Sequence, residues 1–586
     1  MAANFSISDI IKFMETDAKR PVSIKDIIVK LDIPKDGRDG LEKLLKSMVA
    51  DAMVVSIKGG RYGLPEKMNM VAGELQCHAD GFGFVLPEGG TGTDVFIPQR
   101  RMKGAMHGDK VVARVEGEKP NGRREGSIIR VLSRAHAKVI GIYKKVKGFA
   151  VVVPSNERIL EDIVIPAGDG SRAKNGEMVE VEITKWPAKR QAPAGRVIEV
   201  LGDPDDADVE VAVITKKYGL PLSFPGDVTK AAKGVPSEVL EGECEGRRDL
   251  TAKNLMTIDG ETAKDFDDAV CVERIANGGY RLFVAIADVS HYVKPGSIID
   301  DEAFERSTSV YFPDRCIPML PENLSNGICS LNPKVKRLTL TAEMEFDSSG
   351  RLVNKSFYES VIKSVERLTY TDVSAMLKEK DAELLAKYAK IAGDISLMEE
   401  LALKLNALRV EDGSIDFDLP EPQIIIDIEG RPQDIVKSER NIAHRIIEEF
   451  MLSANRAVAE VFTSKQLPAI YRVHERPDED SMNDFREFIS TFGLDVKGPP
   501  TPKTFQQVLK SFEGKAEEKL ITHVLLRAMK QAIYSEENSG HFGLAFDDYA
   551  HFTSPIRRYP DLIIHRLLKL VSTGMYSTEK RKEMEA

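Results

Sequence analysis

Four aspartates lie within ten residues of this 586-residue chain: Asp259, Asp265, Asp267 and Asp268. Carboxylates this close together repel one another, so a folded site tolerates them only with compensating positive charge. Hard divalent cations supply that charge, and Mg²⁺ prefers carboxylate oxygens together with water. Because the cluster contains no His or Cys, it favours Mg²⁺ or Mn²⁺ over zinc. The alternative interpretation is an acidic turn that is exposed to solvent.

The chemistry that such a cluster could perform is phosphoryl chemistry, since two divalent ions about 4 Å apart can activate a water and stabilise a leaving oxygen. A calcium EF-hand does not fit, because the sixth residue counted from Asp265 is Val270, where that loop needs glycine. The chain also lacks the G-x-x-x-x-G-K-[ST] sequence of P-loop NTPases. Apolar stretches at 269–272 and 282–286 flank the cluster, so we expect it to enter a domain interior.

Residues 1–66 predict three short helices followed by a hairpin. Ser8 and Ser23 are suitable helix caps, and Gly59 and Gly60 predict the hairpin turn. This order of elements resembles a winged helix. Two functions remain open for it: contact with nucleic acid through a helix or the wing, or protein docking and packing.

Residues 67–134 differ from the preceding helical segment, because their sequence predicts short strands separated by Gly and Pro turns. Phe82 and Phe84 are two residues apart and share one face of a strand, and Phe96 can join them from a neighbouring strand. The glycines between them allow the other face to turn inward, which leaves the rings available to stack on bases, as in OB-type barrels. The alternative is an aromatic pair in the core. The sequences GFGFV and DVFIP resemble a cold-shock domain.

Residues 135–200 repeat this pattern with fewer aromatics, so we expect a second cold-shock or OB barrel there. The stretch that joins the two copies is basic, since residues 100–147 contain 14 Lys/Arg and 4 Asp/Glu. Clustered charge of this kind can neutralise phosphates through counterion release. The alternative is a solvated surface.

The overall charge of −10 argues against a uniformly basic nucleic-acid binder, but the charge is unevenly distributed. Residues 1–200 contain 33 Lys/Arg and 26 Asp/Glu, which suggests that the N-terminal part of the chain binds a polyanion. A hydrophobic content of 42% excludes disordered, fibrous and membrane-embedded classes. The five cysteines include no C-x-x-C pair, and the sequence shows neither an apolar run of membrane-spanning length nor a signal peptide. We therefore expect a cytoplasmic protein without a membrane partner.

Several longer motifs are similar to those of the RNB superfamily, including IDGETAKDFDD (258–268), AIADVSHYV (285–293), SVYFP (309–313), LSNGICSLNP (324–333) and FTSPIRRY (552–559). The resemblance implies a multidomain chain: a winged helix (1–66), two OB/cold-shock barrels (67–134 and 135–200), a linker (201–245) and a mixed α/β catalytic domain (246–586). It also implies a processive, hydrolytic 3′→5′ exoribonuclease of RNA decay and quality control, which releases nucleoside 5′-monophosphates from single-stranded RNA, with structured RNA left open as a second substrate.

The same resemblance implies the roles of individual side chains. By this resemblance the four aspartates are metal ligands, and Asp267 is the most critical of them for cleavage. Tyr311 and Phe417 become a clamp on the terminal bases, and Tyr370, Glu448 and Arg557 act near the scissile bond. Each residue has a plainer alternative: a core position for Tyr311, a strand position for Phe417, pairing with Arg445 for Glu448 and a structural ion pair for Arg557.

Members of the family continue beyond HRLLK into further helix and another OB-type domain, whereas 17 residues follow Lys569 here. We therefore expect a C-terminally truncated chain, in which tight RNA anchoring and full processivity are in doubt. Two further classes remain open. A non-catalytic RNA-binding protein would use the barrels alone, and a DNA-binding factor would prefer duplex DNA. The sequence indicates the 3′ end of single-stranded RNA as partner and identifies no protein partner.

Overall fold

The computed structural model divides the chain into two compact units, Met1–Gly219 and Leu220–Ala586. The structure describes residues 6–18, 20–34, 37–50, 53–57, 59–87, 93–118, 123–170, 172–188, 191–415, 421–427, 432–438, 440–572, 574 and 582.

The first unit begins with three helices and a three-stranded antiparallel sheet of order β1-β3-β2: α1 (Ile7–Thr16), β1 (Val22–Ser23), α2 (Ile24–Lys30), α3 (Arg38–Ala50), β2 (Val55–Ile57) and β3 (Arg61–Gly63). The cap predicted at Ser23 is confirmed, with Asp26 completing a capping box. The cap predicted at Ser8 is wrong. Ser6 caps α1 instead, because Asp9 lies three residues after it and bonds back to its backbone.

Two closed five-stranded barrels follow. The first, of order β4-β5-β6-β8-β7, consists of β4 (Met70–Cys77), β5 (Gly83–Pro87), β6 (Val95–Ile97), β7 (Lys110–Glu118) and β8 (Arg124–Ser133). The second has the equivalent order and consists of β9 (Lys138–Val146), β10 (Phe149–Pro154), β11 (Ile163–Ile165), β12 (Met178–Lys185) and β13 (Ala194–Gly202). The internal repeat read from the sequence is thus a repeat of one strand topology.

The structure differs from the linker expected at 201–245. Two helices lie there, α4 (Ala207–Lys217) in the first unit and α5 (Gly226–Lys233) in the second. Lys216 of α4 pairs with two glutamates of the second barrel, and Val228 of α5 is buried in the core of the second unit. These contacts hold a segment whose Pro- and Asp-rich composition suggests a linker.

The second unit is built on a five-stranded sheet of order β14-β21-β20-β17-β16: β14 (Arg248–Asp249), β16 (Asp268–Arg274), β17 (Tyr280–Ala287), β20 (Lys336–Phe346) and β21 (Leu352–Lys363). Shorter strands form pairs: β15 (Thr257–Asp259) with β22 (Arg367–Thr369), β18 (Val310–Tyr311) with β19 (Cys316–Ile317), β23 (Glu421–Ile426) with β24 (Pro432–Ser438), and β25 (Tyr471–Val473) with β26 (Ile533–Ser535).

The helices of the second unit that follow α5 are α6 (Val289–Tyr292), α7 (Ile298–Arg306), α8 (Tyr370–Ser374), α9 (Ala382–Lys387), α10 (Ala392–Asp412), α11 (Ile442–Ser464), α12 (Glu479–Ser490), α13 (Pro502–Phe512), α14 (Glu518–Ala528) and α15 (Tyr559–Ser572). Helices pack on both faces of the sheet, whereas α12, α13 and α14 share a separate core. Alternate residues of β16 belong to different cores, since Val270 packs with α10 and α11 while Ala269 packs with α5 and α7. A strand buried on both faces explains the apolar run that follows the aspartate cluster.

Across the described part of the chain, no helix is both long enough and apolar enough to cross a membrane.

Candidate active site

The aspartate cluster occupies the turn between β15, which ends at Asp259, and β16, which begins at Asp268. One cavity of about 410 Å³ is lined by all four aspartates. The cavity also brings together four other residues singled out from the sequence: Tyr311, Tyr370, Glu448 and Arg557. These eight residues come from a turn, a short strand, two helices and the segment before α15, so the fold converges on this cavity. Phe417 lies outside the described residues.

Burial destabilises the charged form of these carboxylates. Burial, followed by repulsion from Asp267, raises the pKa of Asp259 to about 7. Burial and the Asp259 carboxylate raise the pKa of Asp268 to about 8. The pKa of Asp267, which is 4% exposed, lies well above its usual range for the same first reason. The cavity therefore holds negative charge that the protein itself compensates poorly.

The hydrogen bonds of the aspartates leave acceptor capacity unused. Asp267 Oδ1 accepts a bond of 2.9 Å from the Ile556 backbone N–H, and its Oδ2 lies 3.6 Å from Arg557 Nε. Asp265 Oδ2 accepts one of 2.8 Å from the Tyr311 hydroxyl. Asp259 Oδ2 is buried and has no hydrogen-bond partner. An orphaned carboxylate oxygen in an acidic cavity fits a cation ligand.

The four carboxylates line one cavity without meeting at one point. Among the residues that the structure describes, no three His, Cys, Asp or Glu side chains come close enough together to hold a metal ion as they stand. Asp265 is directed to Tyr311, and Asp267 is directed to Ile556 and Arg557. The donor set and the unpaired Asp259 oxygen fit a divalent cation, whereas joint coordination would require these side chains to turn.

The two tyrosines occupy different settings. Tyr311 is 53% exposed, which argues against the core position considered as its alternative. Tyr370 begins α8, and its ring stacks on His444 with centroids 3.9 Å apart and planes inclined by 21°. The Tyr311 ring is therefore exposed on the cavity wall with its hydroxyl bonded to Asp265, whereas the Tyr370 ring packs on His444 of α11.

Glu448 lies on α11 and forms an ion pair with Arg440. Arg409 Nη2 lies 3.9 Å from the same carboxylate and pairs more closely with the neighbouring Glu449, at 2.7 Å. The alternative partner expected from the sequence was Arg445. Glu448 therefore lines the cavity from α11 while its carboxylate pairs with Arg440.

Sequence reasoning missed two residues at this site. Arg367 donates to the backbone oxygens of Gly260 and Glu261, and its charge counteracts the raised pKa of Asp259. His444 holds the Tyr370 ring. The available signals were weak: Arg367 lies three residues before Tyr370, and His444 lies one helical turn before Glu448.

In the first barrel, the predicted aromatic face is confirmed. The rings of Phe82, Phe84 and Phe96 are partly exposed, with centroids 5.6–5.8 Å apart. Gly83 points inward, where an added Cβ would lie 2.9 Å from the Gln76 carbonyl oxygen. His78, which the sequence did not indicate, stacks on Phe82 with centroids 4.7 Å apart. This surface offers planar rings to bases.

In the second barrel, Val151 pairs with Val164 at the register positions that Phe84 and Phe96 occupy in the first. Phe149 is 50% exposed at its edge. The weaker aromatic face expected for the second copy is confirmed.

Small barrels with exposed rings, combined with a buried acidic cavity beside an arginine, define a class of nucleic-acid-cleaving phosphodiesterases. Comparison with known families agrees. The RNB domain matches residues 247–574, the ribonuclease B OB domain residues 73–131 and the cold shock domain residues 152–225. The chain belongs to the RNB family.

Its curated relatives include several ribonucleases R. The chain is 41% identical to that of Vibrio parahaemolyticus over 96% of this chain and 67% of the relative. It is 43% identical to that of Aquifex aeolicus over 97% and 79%, respectively. The apo structure of Mycoplasma genitalium RNase R matches with a TM-score of 0.80 at 28% identity, over 88% of this chain and 81% of that one. That protein has also been solved with ribose-methylated single-stranded RNA and with double-stranded RNA.

The fold alone does not decide whether a chain is catalytic. Yeast Ssd1, described as a pseudonuclease, shares the fold with a TM-score of 0.66 at 21% identity, over 89% of this chain and 71% of that one. Whether a chain of this fold is catalytic therefore depends on the side chains of its cavity.

Proposed function

We propose that the chain is a Mg²⁺-dependent, processive 3′→5′ exoribonuclease that hydrolyses RNA to nucleoside 5′-monophosphates, with Mn²⁺ as a possible replacement for Mg²⁺. The observation that carries this proposal is the convergence of four aspartates on one cavity with a buried, unpartnered Asp259 oxygen. Without a cation, the burial of that charge is unfavourable. Homology to ribonucleases R supports the same activity.

In this proposal Asp259, Asp265, Asp267 and Asp268 hold the cation. When bound, Mg²⁺ would supply positive charge to the phosphate and lower the pKa of a water. Arg557, whose side chain is 46% exposed, can donate a forked pair of hydrogen bonds to the scissile phosphate and offset charge that develops there.

The cavity wall would orient the end of the RNA. Tyr311 presents an exposed ring, and its hydroxyl is held by Asp265. Tyr370 is fixed against His444, and Glu448 is fixed by Arg440. Phe417 is proposed to complete the clamp with Tyr311. Rings that stack on a base contribute about 1–3 kcal/mol each and tolerate any sequence.

The first barrel is proposed to bind single-stranded RNA through Phe82, Phe84 and Phe96. Phe84→Ala is expected to weaken binding of a single-stranded oligonucleotide by about 1–3 kcal/mol, because a base loses its stacking partner. The measurement is fluorescence anisotropy with a labelled RNA at fixed salt. Val151→Ala, at the equivalent position of the second barrel, is the matched control and should change affinity much less. Equal losses in both variants would contradict the assignment of the aromatic face.

The remaining domain assignments complete the proposal. Residues 1–66 would form a winged helix, a proposal supported by three helices and a small antiparallel sheet of order β1-β3-β2. Residues 67–134 and 135–200 would be the two barrel domains, and the catalytic domain would extend from residue 246. The protein would act on RNA in the cytoplasm.

The test is incubation of a 5′-labelled single-stranded RNA with the protein and Mg²⁺. Wild type should shorten the RNA stepwise from the 3′ end, and Asp267→Asn should lower the rate roughly a thousandfold, since a buried charge in direct contact with the reacting centre is lost. An RNA blocked at its 3′ end is the substrate control. Equal shortening by both proteins would refute the catalytic assignment, and RNA binding without shortening by wild type would favour a non-catalytic RNA-binding protein.

A further inference from the structure

The turn that carries the aspartates is held by one buried serine from a distant part of the chain. Ser330 has no exposed surface, and its Oγ accepts a hydrogen bond of 3.0 Å from the Phe266 backbone N–H. The same hydroxyl donates one of 2.8 Å to the Lys264 carbonyl oxygen. Leu331 N–H adds a bond of 2.9 Å to the Phe266 carbonyl. Ser330 therefore fixes the backbone on both sides of Asp265.

Ser330 is itself held by a buried arginine. Arg337 is 7% exposed, and its Nε donates to the Ser330 carbonyl oxygen at 2.8 Å. Its Nη2 and Nη1 donate to the carbonyl oxygens of Gly327 and Lys336 at 3.1 and 2.9 Å. All three bonds go to backbone oxygens. Because its buried guanidinium bonds to backbone oxygens, Arg337 holds in place the segment that carries Ser330.

The opposite end of the turn has a separate support, because Arg367 donates to the carbonyl oxygens of Gly260 and Glu261. Arg367 also acts on the electrostatics of the cavity, since its charge opposes the raised pKa of Asp259. Ser330 is neutral, so replacing it changes the geometry of the turn and leaves the charge of the cavity unchanged. A substitution of Ser330 therefore tests how the position of the aspartates affects cation binding, separately from the charge of the cavity.

We propose that Ser330 is a positioning residue that sets the affinity of the acidic cavity for a divalent cation, acting through Lys264 and Phe266 on Asp265 and Asp267. This inference rests on the proposed function. Groups that orient metal ligands from outside typically change metal affinity or activity by about 10–100-fold when they are removed. The LSNGICSLNP motif, which contains Ser330, would then serve to align the aspartate turn.

The test is titration calorimetry of Mg²⁺ into the RNA-free protein. Ser330→Ala should raise the Mg²⁺ dissociation constant at least about tenfold, because the turn loses both bonds of the hydroxyl. Hydrolysis by this variant should recover towards the wild-type rate as Mg²⁺ is raised to saturation. Ser360→Ala is the matched control, since Ser360 is equally buried and its Oγ bonds to the hydroxyls of Thr339 and Thr341 at 2.7 Å each and to the Thr339 carbonyl oxygen at 3.5 Å. The Mg²⁺ affinity of Ser360→Ala should equal that of wild type.

An unchanged dissociation constant in Ser330→Ala would overturn the inference while leaving the proposed function intact. Absence of Mg²⁺ binding by wild type would overturn both. If Ser330→Ala does not fold, Ser330→Cys replaces it, because a thiol has similar volume and bonds more weakly. A dissociation constant above that of wild type then supports the inference, and one equal to it contradicts the inference.

Discussion

Two buried aspartate sites in the second unit are compensated in opposite ways. Asp288 is 1% exposed, yet Lys569 Nζ lies 2.6 and 2.7 Å from its two oxygens, and Arg247 Nη2 lies at 2.7 Å. Ser290 Oγ adds a bond of 2.8 Å. Burial alone would raise the pKa of Asp288, but the two cations outweigh burial and hold it well below the usual range.

Asp267 in the acidic cavity is buried to a similar degree, and one cationic group, that of Arg557, lies 3.6 Å from it. Its pKa and those of Asp259 and Asp268 are raised. Burial is thus similar at the two aspartates, and the amount of positive charge that the fold supplies is what separates their pKa values. The fold itself neutralises Asp288, whereas the proposed function requires a bound cation to neutralise the acidic cavity.

The largest expected contrast is in stability. Asp288→Asn should lower the free energy of unfolding by about 3–5 kcal/mol, because Arg247 and Lys569 are left without their buried partner. Asp267→Asn, the matched change in the acidic cavity, should leave the free energy of unfolding unchanged or raise it, because repulsion between carboxylates falls. Urea unfolding of both variants without metal measures the contrast. Similar losses in the two variants would remove the distinction between the sites.

The acid dependence of stability should separate the sites further. The pKa of Asp288 is depressed in the folded protein. Its contribution to stability is therefore present above the pKa of the unfolded chain, about 4, and is lost as pH falls below that value. The stability difference between wild type and Asp288→Asn should therefore shrink as pH falls below about 4. Unfolding curves recorded at a series of pH values test this expectation. A difference that stays constant with pH would show that Asp288 is not held as an anion.

The smallest expected effect comes from the neutral partner of Asp288. Ser290→Ala removes one hydroxyl bond and leaves both cations in place, so stability should fall by only about 1 kcal/mol. Urea unfolding beside Asp288→Asn gives the comparison. A loss as large as that of Asp288→Asn would mean that hydrogen bonding, not charge, dominates the site.

The sequence was sufficient for the features that are local or repeated. Four aspartates within ten residues predicted the acidic site, and the alternation of Gly and Phe in GFGFV predicted the outward ring face of the first barrel. Both follow from short-range rules: charge density and the two-residue period of a strand.

The features that escaped prediction depend on tertiary contact. Ser330 bonds to Phe266 across 64 residues, and no spacing in the sequence indicates that bond. Arg367 reaches the aspartate turn from β22, because that strand pairs with β15. The helices α4 and α5 in the expected linker are stabilised by neighbours outside their own segment. Packing, not local pattern, decides these positions.

We propose that a divalent cation completes the acidic cavity, and calorimetric titration of Mg²⁺ into the metal-free protein measures that binding. Wild type and Ser290→Ala should bind Mg²⁺ with equal affinity, and Asp267→Asn should bind it at least about tenfold more weakly. Binding that is absent in wild type, or equally tight in Asp267→Asn, would show that these aspartates do not hold the cation.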